Sequence, residues 1–282
     1  MTHLFATRLG ALTALAATAL AATLSGAQAQ GLPPLPEAIK AAGLLRAGVR
    51  CDQPPYGYKD ETGKFAGVET DMAIQIATWA FGSADKIELT CVTAENRIPQ
   101  LNGKKVDLLI ATLGVTPERA RVVDFSKPYR WGGSDMLVAK DSPIKKLDDV
   151  AGKIVIMLKG STQAKWFEDT MPKVDNLRLN TASDALQSLK QGRGDAYTHD
   201  AATLIVIAAK DPSLRLVGEP FAVSDAAVGV RKNEAAWLAY VDAALDRMKT
   251  EGLYAKWVEK WIPADIRPFY TDAFTKPKPT AR

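Results

Sequence analysis

Short apolar runs alternating with helix-period segments predict an α/β protein built on parallel sheets. Two observations carry that reading. Runs such as residues 106–112 are too short for a helix and nearly all apolar, as a strand covered on both faces should be. The strand–helix–strand order also restarts near residue 148, so two similar α/β halves follow one another.

Taken in order, Pro33, Pro34 and Pro36 precede a short helix at 37–42 that Gly43 ends. Residues 44–50 read as a strand. Pro54 and Pro55, then 59–64, mark a loop or hairpin turn. Met72, Ile74, Ile76, Ala77 and Ala80 give 68–81 a helical period. A strand at 87–92, a short helix at 97–101 and the strand at 106–112 complete the first half. In the second half, 148–151 precede a strand at 153–158. Ser161, Thr162 and Gln163 then start a helix through Trp166 and Phe167. Strands at 177–179, 196–198 and 214–217 alternate with helices at 183–191 and 201–209, and a further strand follows at 228–231. From Glu234 the chain reads as helical through Leu245, Met248, Tyr254, Trp257 and Trp261 to Pro263. The Pro/Lys/Thr-rich tail after Pro268 reads as loose.

Composition narrows the function classes. A net charge of +4 without a polybasic block, or a basic stripe interleaved with aromatics, argues against nucleic acid as partner. His3 and Arg8 precede an Ala/Leu-rich run from Leu9 to about Leu24, and Ala27-Gln28-Ala29 fits a cleavage site, so residues 1–29 read as a secretory signal. The run is short and broken by Gly10 and several Thr, unlike a membrane anchor. No Cys follows it to carry a lipid. The mature protein is expected in the periplasm, cleaved near Ala29. In that oxidising compartment Cys51 and Cys91 lie near the ends of two predicted strands. They form a disulfide if those strands are parallel neighbours, and are separate buried thiols if not. Their spacing is no metal motif, and no metal or cofactor is expected.

The densest signal is Thr116-Pro117-Glu118-Arg119, followed by Val123-Asp124-Phe125-Ser126-Lys127-Pro128-Tyr129. Thr as cap and Pro at the first helical position merely start a helix. With a strand and Gly114 before them and Arg119 one turn in, they build a carboxylate-binding device. Backbone N–H groups face the anion and a guanidinium fork closes on it. The whole run resembles the first-lobe ligand site of the periplasmic amino-acid-binding proteins, the family-3 extracellular solute-binding proteins of bacterial importers. The resemblance spans residues 44–262.

That resemblance implies a bilobal periplasmic-binding-protein fold. Lobe 1 comprises 30–130 and 228–282, and lobe 2 comprises 131–227. Two crossings, near 129–133 and 222–227, form the hinge, and a ligand cleft lies between the lobes. It implies a monomer that captures an amino acid by hinge closure and docks transiently on an ABC importer permease. Arg119, Thr112 and Gly114 match the family's lobe 1 contacts to the α-carboxylate. Thr162, with Ser161 and Gln163, matches the lobe 2 contact. Asp200 matches the acidic partner of the ammonium, and His199 a ligand-contacting position. Taken alone, Asp200 equally reads as the cap of the next helix, and Arg119 as a solvated helix residue.

Specificity is expected from departures. Many relatives have an acidic residue where Arg50 stands, and aromatics at Gln53 and Ala94. Arg50 with Arg97 resembles the glutamate/aspartate-binding subgroup: a second ligand carboxylate needs paired cations, and a cationic ligand would be rejected. Either Arg is alternatively a structural ion-pair residue. Ala226 replaces a common hinge aromatic. Two other classes compete. An enzyme like the periplasmic cyclohexadienyl dehydratases would need a general acid in the cleft, for which Glu95 is the nearby candidate in lobe 1. A sensor ectodomain would have to work as a soluble partner, because no signalling domain follows. The expectation is a binding protein without catalysis.

Overall fold

In the computed structural model, which describes residues 31–278, α1 (Glu37–Ala42) stops at Gly43. Gly43 takes a left-handed conformation and returns its N–H to Lys40. The first half continues through β1 (Leu45–Val49), β2 (Asp52–Gln53), β3 (Gly57–Lys59) and β4 (Phe65–Ala66). Then come α2 (Val68–Phe81), β5 (Ile87–Cys91), α3 (Arg97–Asn102), β6 (Leu108–Ile110) and α4 (Pro117–Ala120). A long strand, β7 (Val123–Ala139), leads into the second half. There β8 (Ile154–Leu158), α5 (Thr162–Thr170), β9 (Asp175–Leu179) and α6 (Ala182–Lys190) precede β10 (Ala196–Asp200), α7 (Ala201–Lys210) and β11 (Leu214–Leu216). The strand β12 (Phe221–Arg231) returns the chain to α8 (Ala235–Thr250), α9 (Leu253–Trp261) and α10 (Arg267–Thr275). The expected signal at 1–29 lies outside the described residues. Among those described, no helix is long and apolar enough to cross a membrane.

The fold is bilobal α/β. In one lobe β1 lies between β5 and β6, all parallel; in the other β8 lies between β9 and β10, also parallel. Each group has its own core. Leu45, Val49, Met72, Ile76, Leu108 and Trp237 fill the first, while Met136, Val155, Met157 and Phe167 fill part of the second. The two expected crossings are not loops. They are stretches of β7 and β12 paired antiparallel, with Arg130 opposite Ala226, Trp131 opposite Asp225 and Gly132 opposite Ser224. The register shifts between Phe221 and Ser224, and again between Ala226 and Ala227. Interrupted ladders of this kind let a ribbon bend.

Three expectations are corrected. The strand expected at 228–231 begins at Phe221, because the crossing itself is hydrogen-bonded to β7. The helix expected from Glu234 to Pro263 is two helices, broken at Gly252, whose positive φ of 66° ends one and starts the other. Of the tail expected to be loose after Pro268, the part to Thr275 belongs to α10, and 279–282 lie outside the described residues. Pro268 falls in the first turn, where its missing N–H has no intrahelical role, and Tyr270 and Phe274 are buried in the first core. The cysteine expectation holds. Val49 lies opposite Cys91, and Cys51 is bridged to Cys91 with Cα atoms 5.4 Å apart.

Candidate functional site

Parallel strands present their C-terminal ends to the cleft, and the loops leaving them build the site. After β6, Thr112 holds a left-handed backbone (φ 50°). Its N–H donates to Glu69 Oε2 at 2.8 Å, and its hydroxyl donates to Gln53 Oε1 at 2.9 Å. Gln53 Nε2 reaches Asp200 Oδ2 on the other lobe at 3.2 Å. Thr116 caps α4, accepting the Arg119 N–H at 3.3 Å, and thereby orients the Arg119 side chain. That guanidinium donates to the Gly114 carbonyl at 2.7 Å and, across the cleft, to the Gly160 carbonyl at 2.8 Å.

Arg97 is buried. Its Nη1 donates to the carbonyls of Ala111 at 2.6 Å and Thr112 at 3.2 Å, its Nε has no partner, and it forms no ion pair among the described residues. Burial, then the nearby charges of Arg119 and Arg50, disfavour its cationic form, so its pKa is driven well below the usual arginine range. Arginine does not deprotonate in response; such a field is relieved by an anion. Arg50 differs. It lines the same cavity but is paired to Asp52, Nη2 to Oδ1 at 2.7 Å. One edge of it is thus committed to the structural ion pair that was its alternative reading.

The second lobe supplies the opposite wall. Ser161 caps α5, its Oγ accepting the Ala164 N–H at 3.1 Å. Gln163 Nε2 donates to Ser134 Oγ at 2.8 Å and Asp200 Oδ1 at 3.0 Å. Asp200 stands at the cap position of α7 but makes no capping bond. Its carboxylate instead faces Gln53, Gln163 and Arg130, the last at 3.6 Å. Burial alone would raise its pKa, but His199, Arg130, Gln163 and Arg97 outweigh that and hold it below the usual carboxylate range. His199 is buried, and its pKa is pushed down to about 4 chiefly by that burial. Its Nδ1 accepts the Asp200 N–H at 2.7 Å, so the neutral ring carries its proton on Nε2.

The cleft holds two small adjoining cavities, of about 20 Å³ each. Thr112, Thr162, Gln163 and Asp200 line both. Arg50, Arg97, Ser161 and His199 line one, and Gly114 the other. Arg119 closes the outer side beside Ser161 and Thr162. The structure thus brings together all ten residues singled out in the sequence. Glu95, the acid that the enzyme reading required, is exposed and lines neither cavity.

Several residues of the site escaped the sequence reading. Glu69 is fully buried on α2; burial raises its pKa, against the opposing effects of Arg130, Tyr129 and the Thr112 N–H. Tyr129 donates to it at 2.6 Å, and Arg130 Nη2 lies 3.5 Å away. A signal existed: Glu69 shares a helix face with Met72, Ala73 and Ile76, an acid among core positions. Arg130 and Ser134 had no such signal, because they lie in the crossing strand.

The model of the bacterial extracellular solute-binding proteins, family 3, matches residues 45–264. The ABC transporter glutamine-binding protein GlnH of Bacillus subtilis (strain 168) is 34% identical over 230 residues, covering 81% of this chain and 84% of the relative. The glutamate-binding protein GluB of Corynebacterium efficiens is 28% identical, covering 92% of each. Among solved structures, the solute receptor for L-cysteine of Neisseria gonorrhoeae aligns with a TM-score of 0.78 at 33% identity, over 80% of this chain and 92% of that one. An ancestral arginine-binding protein bound to glutamine aligns at 0.73 and 35%, over 78% and 98%. The relatives are amino-acid-binding proteins of transport systems by name, not enzymes. With the family model matching most of its length, the chain belongs to the bacterial extracellular solute-binding proteins of family 3.

Proposed function

We propose that this protein captures one free amino acid between its lobes and delivers it to the permease of an ABC importer, with glutamate or aspartate as the preferred ligand. The observation that carries the reading is the charge placement along the cleft. Arg97 lines a cavity together with Asp200, Arg119 closes the outer side beside Ser161 and Thr162, and neither arginine is in an ion pair among the described residues. A zwitterion fits that placement: its carboxylate goes to Arg119 with Gly114, Thr112 and Thr162, and its ammonium to Asp200. The balance favours an acidic side chain. Four guanidinium groups (Arg50, Arg97, Arg119, Arg130) meet three carboxyl groups (Asp52, Glu69, Asp200), leaving positive charge for a second ligand carboxylate. Arg97 is its contact. Arg50 adds field while holding Asp52, and His199 Nε2–H and Gln163 are neutral donors to the side chain.

The relatives named for glutamine and arginine make selectivity the point to test. Calorimetry with glutamate, aspartate, glutamine, asparagine, arginine and cystine should give the tightest binding for an acid and none for arginine. Glutamine binding more tightly than glutamate would overturn the acidic preference; no amino acid binding would overturn the function. In the same reading the protein is an exported monomer with residues 1–29 removed. Its lobes are 30–130 with 228–282, and 131–227.

A further inference from the structure

One contact across the cleft serves no ligand. Asp52 follows Cys51 on the first lobe and is fixed there by Arg50, whose Nη2 and Nε donate to Oδ1 at 2.7 and 3.2 Å. Its other oxygen, Oδ2, accepts the N–H of Ala182 on the second lobe at 2.7 Å. Ala182 is the first residue of α6. Thr181 caps that helix but satisfies a different donor, the Asp184 N–H. A first-turn N–H has no partner inside its own helix, so in this arrangement a carboxylate from the opposite lobe completes the helix end. Asp52 lines neither ligand cavity.

We propose that Asp52, held by Arg50, is a closure latch: it fastens the N-terminus of α6 across the cleft and sets how tightly the closed form retains any amino acid, without touching it. The latch exists only with the lobes together, so its free energy enters the closed state alone. Apparent affinity scales with the closed fraction, and a contact specific to that state raises affinity for every ligand by one factor. The inference rests on hinge closure and is independent of which amino acid the site prefers.

Two substitutions remove the latch from opposite sides. Asp52→Asn weakens the acceptor. Ala182→Pro deletes the donor and leaves Asp52 paired with Arg50; proline suits the first helical position, and Thr181 already has the extended backbone (φ −122°, ψ 153°) that a residue before proline adopts. Ala182→Pro should weaken L-glutamate and L-glutamine alike by about tenfold, as loss of a charge-assisted hydrogen bond implies, with faster dissociation and an unchanged melting temperature of the ligand-free protein. Asp52→Asn also releases Arg50 beside the cavity, so it is read with the neutral ligand and should weaken L-glutamine by a similar factor. The double variant should be no worse than the weaker-binding single one. Wild-type affinity in Ala182→Pro, unequal losses for the two ligands in that variant, or additive losses for L-glutamine would overturn the latch. A second readout is amide exchange in protein saturated with L-glutamate: the Ala182 amide should exchange slowly in the wild type and fast in Asp52→Asn, and fast exchange in both would also overturn the latch. Failure of the wild type to bind any amino acid would overturn the proposed function and the latch with it; binding that Ala182→Pro leaves unchanged would overturn the latch alone.

Discussion

At Arg119 the sequence, the local fold and the proposed chemistry meet in one side chain. Thr116 starts the helix and Pro117 fixes its first turn, so the guanidinium emerges beside Gly114 and reaches the other lobe. Arg119→Ala should therefore abolish binding of every amino acid, a loss of about 2–5 kcal/mol, as expected when one partner of a buried charge pair is removed. Near-native affinity in calorimetry would refute its role. Arg97→Ala should act differently. It should cost glutamate and aspartate about 1.5–3 kcal/mol more than their amides, because a neutral amide does not need the second cation. Equal losses, measured with all four ligands, would mean that Arg97 does not read the side chain. His199 makes a pH prediction. Its folded pKa, about 4, lies below the unfolded value near 6.5, so between these pH values the unfolded chain binds more protons and stability falls as pH falls. Glu69 and Asp135, raised by burial, tilt stability the opposite way. The test is the difference between wild type and His199→Gln in ligand-free melts: the wild type should lose up to about 3 kcal/mol more from pH 6.5 to 4. Parallel curves would contradict the depressed pKa.

At the scale of elements, α10 shows how a segment read as loose becomes structural. Phe274 stacks on Tyr254 with ring centroids 5.2 Å apart and lies 6.3 Å from Tyr129, whose hydroxyl holds Glu69. Tyr56, 6.1 Å from Tyr270, carries the Arg130 guanidinium on its face at 3.9 Å. The last helix thus supports the floor of the ligand site from behind. Phe274→Ala should destabilise the protein by about 3–5 kcal/mol, read in denaturant unfolding. A change below 1 kcal/mol would return the segment to the loose tail that its Pro, Lys and Thr suggested. That misreading had a physical cause. Pro268 breaks a helix interior but starts a helix well, and a single sequence cannot say which position it occupies until the aromatic partners are in place. The hinge is a similar case. Residues 222–227 carry no alternation of their own, and their strand geometry comes from pairing with β7.

For the molecule as a whole, function depends on two lobes meeting. Gly160 (φ 68°) is pressed against the first lobe so closely that a Cβ there would lie 2.9 Å from the Ala94 carbonyl oxygen. Gly160→Ala should hinder closure, weakening every ligand by about tenfold, the scale of 1–2 kcal/mol of strain. Scattering should show less contraction on adding saturating glutamate than in the wild type; full contraction with unchanged affinity would refute this. The sequence by itself determined the α/β alternation, the strands that end near Cys51 and at Cys91, and the capped turn that carries Arg119, because each rests on local periodicity, capping and residue chemistry. It also placed Arg50 and Asp200 at the cleft, but not what they do there. Only the tertiary structure decided that Arg50 is tied to Asp52, that Asp200 turns from its helix to Gln53 and Gln163, and that Glu69, Tyr129 and Arg130 back the site. Those contacts join residues far apart in sequence and on both lobes, and the partner of a charge is fixed by distance in space, which no local pattern records.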